Sequence, residues 1–387
     1  MIYYGRQSIS EDDIQAVVDV LRSDCITQGT ILPKFEQAVA SKVHAKYAFA
    51  VNSATSALHL ACLSLGLGPG DWLWTSPVSF VASANCGLYC GASIDFVDID
   101  KHTGLLSIAE LTLKLEKACL VGNLPKILVP VHLAGTSCDM KSIALLAKKY
   151  RFYVIEDASH AIGASFSGKP VGCCEFSDIC IFSFHPVKII TTGEGGMAVT
   201  NNPILANKID ILRGHGINRD EFEFNSPGPW YYEQQQLGFN YRMTEFQAAL
   251  GLSQLSRIEM FVNKRRDLMG VYRQSLAGNN MLEILEEPDD AFSAYHLAII
   301  RLLNVTAGQH KKLFEWMRVK GVWVQLHYWP IHLHPYYKRL GFQKGQFPCA
   351  EHYGLSSFSL PVHPGLTNDQ QRYVLSTLNN GIEICIK

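Results

Sequence analysis

No stretch of this sequence approaches the roughly 18 consecutive apolar residues that a membrane-spanning helix needs, so no segment is expected to cross a bilayer. The opening MIYYGRQSISEDD lacks the charged-then-apolar order of a signal peptide, and the expectation is a soluble, cytoplasmic protein. An excess of either charge is also missing. There are 34 Lys and Arg against 35 Asp and Glu, for a net charge of -1. That speaks against a broad basic face for nucleic acid or an anionic membrane, though not against a local anion pocket built from backbone N–H groups. Internal repeats and low-complexity tracts are absent. The phosphate loop G-x-x-x-x-G-K-[ST] is absent too, and the GEGG at 193–196 does not fit G-x-G-x-x-G, which disfavours an ATPase and a nicotinamide enzyme. The 11 cysteines are odd in number and irregularly spaced. No CxxC pair recurs, so they read as small buried thiols in a reducing compartment rather than as zinc ligands.

What is present is a chain of 387 residues, 48% hydrophobic and 18% charged, enough for a large domain plus a smaller one. Short apolar runs recur at 47–52, 71–76, 93–99, 126–133, 152–158 and 178–184, with helical patterns such as TSALHLACLSLG and MKSIALLAKKY between them. Alternation of this kind predicts an α/β fold with a mostly parallel sheet covered on both faces. Residues 11–22 read as a helix capped by Ser10. A long helical pattern follows from Thr244 to about Leu276. Beyond it AYHLAIIRL and GVWVQLHYW read as strands around a helix, which predicts a smaller α+β domain. The expected division is 1–255 for the large domain and 256–387 for the small C-terminal one.

Ligand groups gather at the C-terminal ends of strands in such sheets, and four of these ends carry chemistry. In NSATSALHLA a helix beginning near Thr55 and Ser56 offers unpartnered N–H groups and hydroxyls to a phosphate, or simply a Ser/Thr cap. In VIEDASHAIGA, Asp157 stands where an apolar strand ends. In FSFHPVKIITTGEGG, Lys188 sits in an uncharged stretch. It is either a desolvated, nucleophilic amine or a surface lysine. In LGFNYRMTEF, Asn240, Tyr241 and Arg242 form a polar patch ahead of a helix. Together, an Asp and a Lys at two strand ends suit a pyridoxal-phosphate enzyme of fold type I. Asp157 would keep the cofactor's pyridine nitrogen protonated, and Lys188 would link to the cofactor and later carry a proton. Thr55, Ser56 and Ser183 would hold the phosphate, and Phe80 would stack on the ring.

The chain resembles the DegT/StrS-type sugar-nucleotide aminotransferases over nearly its full length. The matching pieces are ITQGTILPKFE, NSATSALHLA, TSPVSFVASAN, VDIDKHTGLLS, EDASHAIGA, FSFHPVKIITTGEGG and GFNYRMTEFQAALGLSQL. The resemblance implies Lys188 as the cofactor-linking lysine, Asp157 as the pyridine partner and His160 near the ring hydroxyl. It implies Thr55, Ser56 and Ser183 as phosphate ligands. It also implies that Asn240 reaches into the neighbouring subunit, so that a homodimer shares its sites. Tyr4, Asp24, Cys25, Ile26, Thr27, Ala54, Gln325, Leu326, His327 and Tyr328, with Ser183 and Asn240, fall where relatives contact the sugar nucleotide.

Within the family, SFHPVK followed by ITTGEGG, ITQG, and QLHYWPIHLHPYY resemble the branch that serves pseudaminic acid synthesis. That branch implies UDP-2-acetamido-2,6-dideoxy-β-L-arabino-hexos-4-ulose as acceptor, L-glutamate as donor and a role in surface-glycan or flagellar glycosylation. Ile189 stands where relatives often carry Pro or Asn. Cys25 replaces a bulkier residue, which leaves the exact sugar open.

Other features have plainer readings. Residues 327–334 carry His327, His332 and His334; on a strand His332 and His334 would share one face and could suggest a metal, but no nearby Cys or carboxylate completes a set, and the segment reads as a substrate-facing loop. Arg213 and His215 face either the site or a surface loop. Lys264, Arg265 and Arg266 read as a solvated helix face. Three rivals remain: a sugar dehydratase of the same fold, which would carry His in place of Lys188; an aminotransferase on another keto sugar; and a non-catalytic sensor that kept the fold.

Overall fold

The computed structural model describes residues 1–219 and 221–386. Seven strands build the central sheet: β1 (Tyr47–Val51), β2 (Trp72–Thr75), β3 (Ser93–Phe96), β4 (Ile127–Val129), β5 (Tyr153–Asp157), β6 (Ile179–Ser183) and β7 (Gly196–Thr200). Their order is β1-β7-β6-β5-β4-β2-β3. Every neighbouring pair is parallel except the two that β7 makes with β1 and β6.

The pleat sends alternate residues to opposite faces. Ile179 and Ile181 of β6 enter one apolar core with Leu73, Ile127 and Ile155, while Cys180 and Phe182 enter another with Ala50, Met197 and Val199. Helices cover both faces: α1 (Glu11–Leu21), α2 (Ile31–Val43), α3 (Ala54–Ser64), α4 (Ala82–Tyr89), α5 (Ile108–Val121), α6 (Met140–Tyr150), α7 (Pro203–Arg213) and α8 (Glu245–Leu255). This is why strands such as β6 are buried along their whole length and carry no polar face. Each fully buried Ile or Leu contributes about 1.5–3 kcal/mol.

The second half of the chain adds α9 (Ile258–Leu276), α10 (Ala307–Val319), the C-terminal helix α11 (Asn368–Cys385), and an antiparallel sheet of β8 (Leu282–Ile284), β9 (Ala298–Leu302) and β10 (Ser357–Leu360). A third core lies among these elements, with Leu268, Ile300, Leu313, Phe358 and Leu378 in it. Among the described residues no helix is long and apolar enough to cross a membrane.

Four expectations need correction. The pattern from Thr244 to Leu276 is two helices, broken at Ser256–Arg257. The break falls where the buried Asp13 carboxylate gathers Ser253 Oγ (2.6 Å), Gln254 Nε2 (2.7 Å) and the Arg257 guanidinium, a tertiary tie that periodicity does not register. GVWVQLHYW is a strand only at Val322–Trp323, paired with Ile2–Tyr3. From Val324 it becomes a loop, joined to β10 by the backbone bridge between Gln325 and Ser359. Helix α3 starts at Ala54, because Ser53 is its cap, its Oγ accepting the Ser56 N–H at 3.1 Å. Lys264–Arg266 is not a solvated face. Arg265 is 1% exposed and Arg266 Nη1 meets Glu287 Oε1 at 2.8 Å.

Candidate active site

The sheet topology brings together what the sequence holds apart. Strands β5 and β6 are parallel neighbours, with Asp157 opposite Ile181, so both C-terminal ends open onto one cavity of about 530 Å³. Asp157, the last residue of β5, is 5% exposed. Its Oδ2 accepts the Ser83 hydroxyl at 2.6 Å, and its Oδ1 accepts the Ser159 hydroxyl at 2.6 Å and the Ser159 N–H at 3.2 Å.

Ser183 ends β6, and the chain then turns through Pro186 to Lys188, which shares the cavity wall with Asp157. Burial pushes the Lys188 amine down from its ordinary 10.5 to about 8, against the opposing pull of the Asp157 carboxylate. Such an amine is available as a nucleophile near neutral pH.

The third wall is the start of α3. Ser53, Ala54 and Thr55 line the cavity, while Ser56 lies behind them with its hydroxyl donating to Asn52 Oδ1 at 2.7 Å. Gly196 makes this approach possible, since a Cβ there would come 2.4 Å from Ala54 N and 2.5 Å from Ser53 C. The Gly-rich turn after Lys188 therefore lets β7 press against a helix N-terminus whose N–H groups favour an anion.

His160 Nε2 is 3.1 Å from the Tyr328 hydroxyl, and its buried Nδ1 has no partner among the described residues. Burial, with Lys188 and His327 beside it, holds the imidazole well below its ordinary range and therefore neutral. His327 packs its ring 4.7 Å from that of Tyr4 and meets the Ser359 hydroxyl at 2.8 Å. Burial and the nearby Lys188 push it down to about 3. Gln325 and Leu326 complete that wall, and Phe80, 58% exposed, stands with its ring 6.2 Å from that of Tyr328.

Other expected residues lie elsewhere. Asp24 and Cys25 line a separate groove of about 590 Å³ with Glu245, and Ile26, Thr27 and Asn240 are exposed. Arg213 pairs with Glu36 and donates to the Ala50 carbonyl at 2.9 Å, away from the cavity. His332 is not on a strand. It sits in a short 3-10 turn and meets Glu351 Oε1 at 3.0 Å. Among the described residues no cluster of three His, Cys, Asp or Glu suits a metal. The sequence reading missed Ser53, Ser83, Ser159 and His296. The first three lie inside motifs already singled out, but no periodicity or spacing separates an N-cap or a carboxylate's donor from its neighbours.

Comparison with known proteins agrees with this architecture. The chain is 36% identical over 383 residues to the UDP-4-amino-4,6-dideoxy-N-acetyl-β-L-altrosamine transaminase of Campylobacter jejuni, covering 99% of this chain and 98% of that one. It is 34% identical over 373 residues to the GDP-perosamine synthase of Escherichia coli O157:H7, covering 96% of each. Among solved structures it superposes on PseC of Helicobacter pylori, an aminotransferase of pseudaminic acid biosynthesis, with a TM-score of 0.91 at 31% identity and 99% of each chain. The putative sugar aminotransferase Spr1654 of Streptococcus pneumoniae in its PMP form gives a TM-score of 0.92 at 28% identity over 100% of each chain, and its PLP form is also similar. The cavity fits that cofactor: an amine to bind an aldehyde, a carboxylate for a pyridinium, a helix start that only glycine at 196 lets the sheet approach, and a buried imidazole nitrogen without a partner among the described residues. The characteristic sequence pattern of one family matches residues 7–379. The chain belongs to the DegT/DnrJ/EryC1/StrS aminotransferase family, and its cofactor is pyridoxal 5'-phosphate.

Proposed function

We propose that this enzyme moves the amino group of L-glutamate onto the 4-keto carbon of UDP-2-acetamido-2,6-dideoxy-β-L-arabino-hexos-4-ulose, in the cytoplasm, for surface-glycan or flagellar glycosylation. The observation that carries the reading is the meeting of a depressed lysine amine, a hydrogen-bonded carboxylate and a capped helix start in one cavity. Bound pyridoxal phosphate supplies a carbonyl that takes up the amino group and a ring that delocalises the electrons released at the substrate carbon.

Lys188 Nζ would hold the cofactor and, once released, would move the proton at the substrate carbon. Asp157 would face the pyridine nitrogen and favour its charged form. Thr55, Ser183 and the N–H groups at the start of α3 hold the phosphate, with Ser56 fixing Asn52 behind them. Neutral His160 would serve the ring hydroxyl, and Phe80 would pack against the ring. Tyr4, Ala54 and Gln325–Tyr328 line the sugar-nucleotide side. Two copies of the chain share their sites. Asn240 and the segment Asp24–Thr27 are exposed, and the stretch leading to Asn240 exposes Phe224, Trp230 and Leu237, apolar surface that a second copy would cover.

The C. jejuni relative and the H. pylori neighbour support the UDP sugar. The perosamine relative supports a second reading, a GDP-linked keto sugar. A direct assay decides. The protein, loaded with pyridoxal phosphate and given L-glutamate, is offered each keto sugar and the amine product is followed by mass. Preference for the UDP sugar of at least about tenfold in kcat/KM, or about 1.4 kcal/mol, is expected. Turnover of the GDP sugar alone would replace the sugar assignment.

The Lys188 amine also sets a pH dependence. It is half neutral near pH 8 rather than 10.5, and only the neutral amine attacks an aldehyde. The rate at which cofactor-free protein captures pyridoxal phosphate should therefore rise through a midpoint near 8, read by stopped-flow absorbance. A midpoint near 10.5 would contradict the buried environment.

A further inference from the structure

His296 lines the same cavity as Lys188 yet has no part in the roles above. It is 3% exposed, and its ring packs against that of His160 with centroids 4.5 Å apart. Each ring keeps a buried Nδ1 without a partner among the described residues, so the two meet as packed bodies and not through a hydrogen bond.

Two features seat His296 there. Gly135, with φ +96°, lies between the two backbones. A Cβ on it would come 2.9 Å from the His160 carbonyl oxygen, 2.9 Å from Tyr295 N and 3.0 Å from His296 N. Only glycine lets these segments close on each other. Hydrogen bonds from Ala294 N–H to Gly135 O (3.0 Å) and from Leu297 N–H to Ala134 O (3.3 Å) fix the register.

On the far side is Arg265. Its Nη1 donates to the carbonyls of Tyr295 (3.3 Å), His296 (3.2 Å) and Val362 (2.7 Å), and no carboxylate pairs with it among the described residues. Burying a cation with carbonyls alone is costly, and here the cation ties α9 to the bend that carries His296.

We propose that His296 is a positioning residue of the active site: seated by Gly135 and Arg265, its ring is the wall that holds His160 in the orientation that meets Tyr328. This rests on the reading of the cavity as the cofactor site. The charged and titratable groups that bear on the two rings are Lys188, Arg265 and His327, with Tyr328 in hydrogen-bond contact. All four remain in the variants that test the idea.

His296→Ala removes the ring, and His296→Phe keeps a flat ring without nitrogens. Each is titrated with pyridoxal phosphate by fluorescence, and the pH midpoint of the bound cofactor's visible absorption is recorded beside thermal unfolding. His296→Val, which leaves the core fuller, stands in should the alanine protein not fold. Removal of the ring is expected to weaken cofactor binding about tenfold and to move the midpoint by roughly half a unit. The phenylalanine protein is expected to stay within about twofold of wild type. An alanine protein that melts earlier but matches wild type on both readouts would reduce His296 to core packing and overturn the proposal. A phenylalanine protein as impaired as the alanine one would shift the role to the ring nitrogens and overturn it too. Failure of the wild-type protein to take up the cofactor overturns the functional reading along with it, whereas normal wild-type uptake with an unaltered alanine variant overturns this proposal alone.

Discussion

Lys188→Ala is expected to lower transamination by at least about 10³-fold while the fold persists. Among the described residues Lys188 makes no ion pair, and its backbone N–H donates to the His185 carbonyl at 2.9 Å, a bond that alanine keeps. Burial disfavours its charged form, so removing it relieves a desolvation cost and thermal unfolding should change little. On the proposed roles, what would be lost is the amine that takes the cofactor's aldehyde and the base that moves the proton. Borohydride reduction of loaded wild-type protein should leave a covalent adduct on Lys188 by mass spectrometry, and the variant should give none. Full turnover, or an undiminished adduct, would remove Lys188 from the role.

The same variant tests the shared site. Mixed with Asn240→Ala protein and allowed to exchange, half of the dimers become hybrids, each with one site that has both Lys188 and Asn240 intact. Activity should recover toward roughly a quarter of wild type. Mixtures that never regain activity would place Asn240 within its own subunit's site or outside any site.

How much of this was legible beforehand varied with the kind of interaction. Strands β1 to β6 announced themselves as short apolar runs, because a strand buried on both faces is largely apolar, as β6 is. Asp157 and Lys188 were visible as strand-end residues, but their adjacency is a property of sheet order, and β5 and β6 being neighbours is not written in either segment. Local chemistry was placed within a residue or two: the α3 start was read at Thr55–Ser56, whereas Ser53 is the cap, since several small hydroxyl residues in a row all satisfy the same rule. Arg265 was misread because a charged triplet on a helix usually faces water, and only the converging carbonyls of Tyr295, His296 and Val362 make an interior place for it. His296 carried no signal, as its work depends on Gly135 and His160, each more than a hundred residues away in the chain. The segment Asp24–Thr27 and Asn240 do not line the cavity of their own chain, and a sequence motif does not say whether a residue acts within its own subunit or on another.

Asp157→Asn separates electrostatics from architecture. Asparagine has the same shape, and its oxygen still accepts the Ser159 N–H. The Ser159 hydroxyl keeps its 2.6 Å bond to that oxygen, and the Ser83 hydroxyl, now a donor to Asp157 Oδ2 at 2.6 Å, can rotate to accept from the new amide. The cost to stability should therefore stay near about 1–2 kcal/mol. The chemistry loses more: without the carboxylate the pyridine nitrogen is no longer held in its charged form and the ring withdraws electrons poorly, so turnover with L-glutamate should fall about 10²- to 10⁴-fold. A second effect has the opposite sense. The Asp157 carboxylate raises the Lys188 amine against the effect of burial, and removing it lets that amine fall further below about 8. Cofactor capture by the variant should then reach its plateau at a lower pH than in wild type, even though turnover has collapsed. A misfolded protein would lose both together, and a protein in which Asp157 serves only as a structural acceptor would keep turnover within a few fold; slower chemistry with an acid-shifted capture profile is the signature of a carboxylate that acts on both the ring and the lysine.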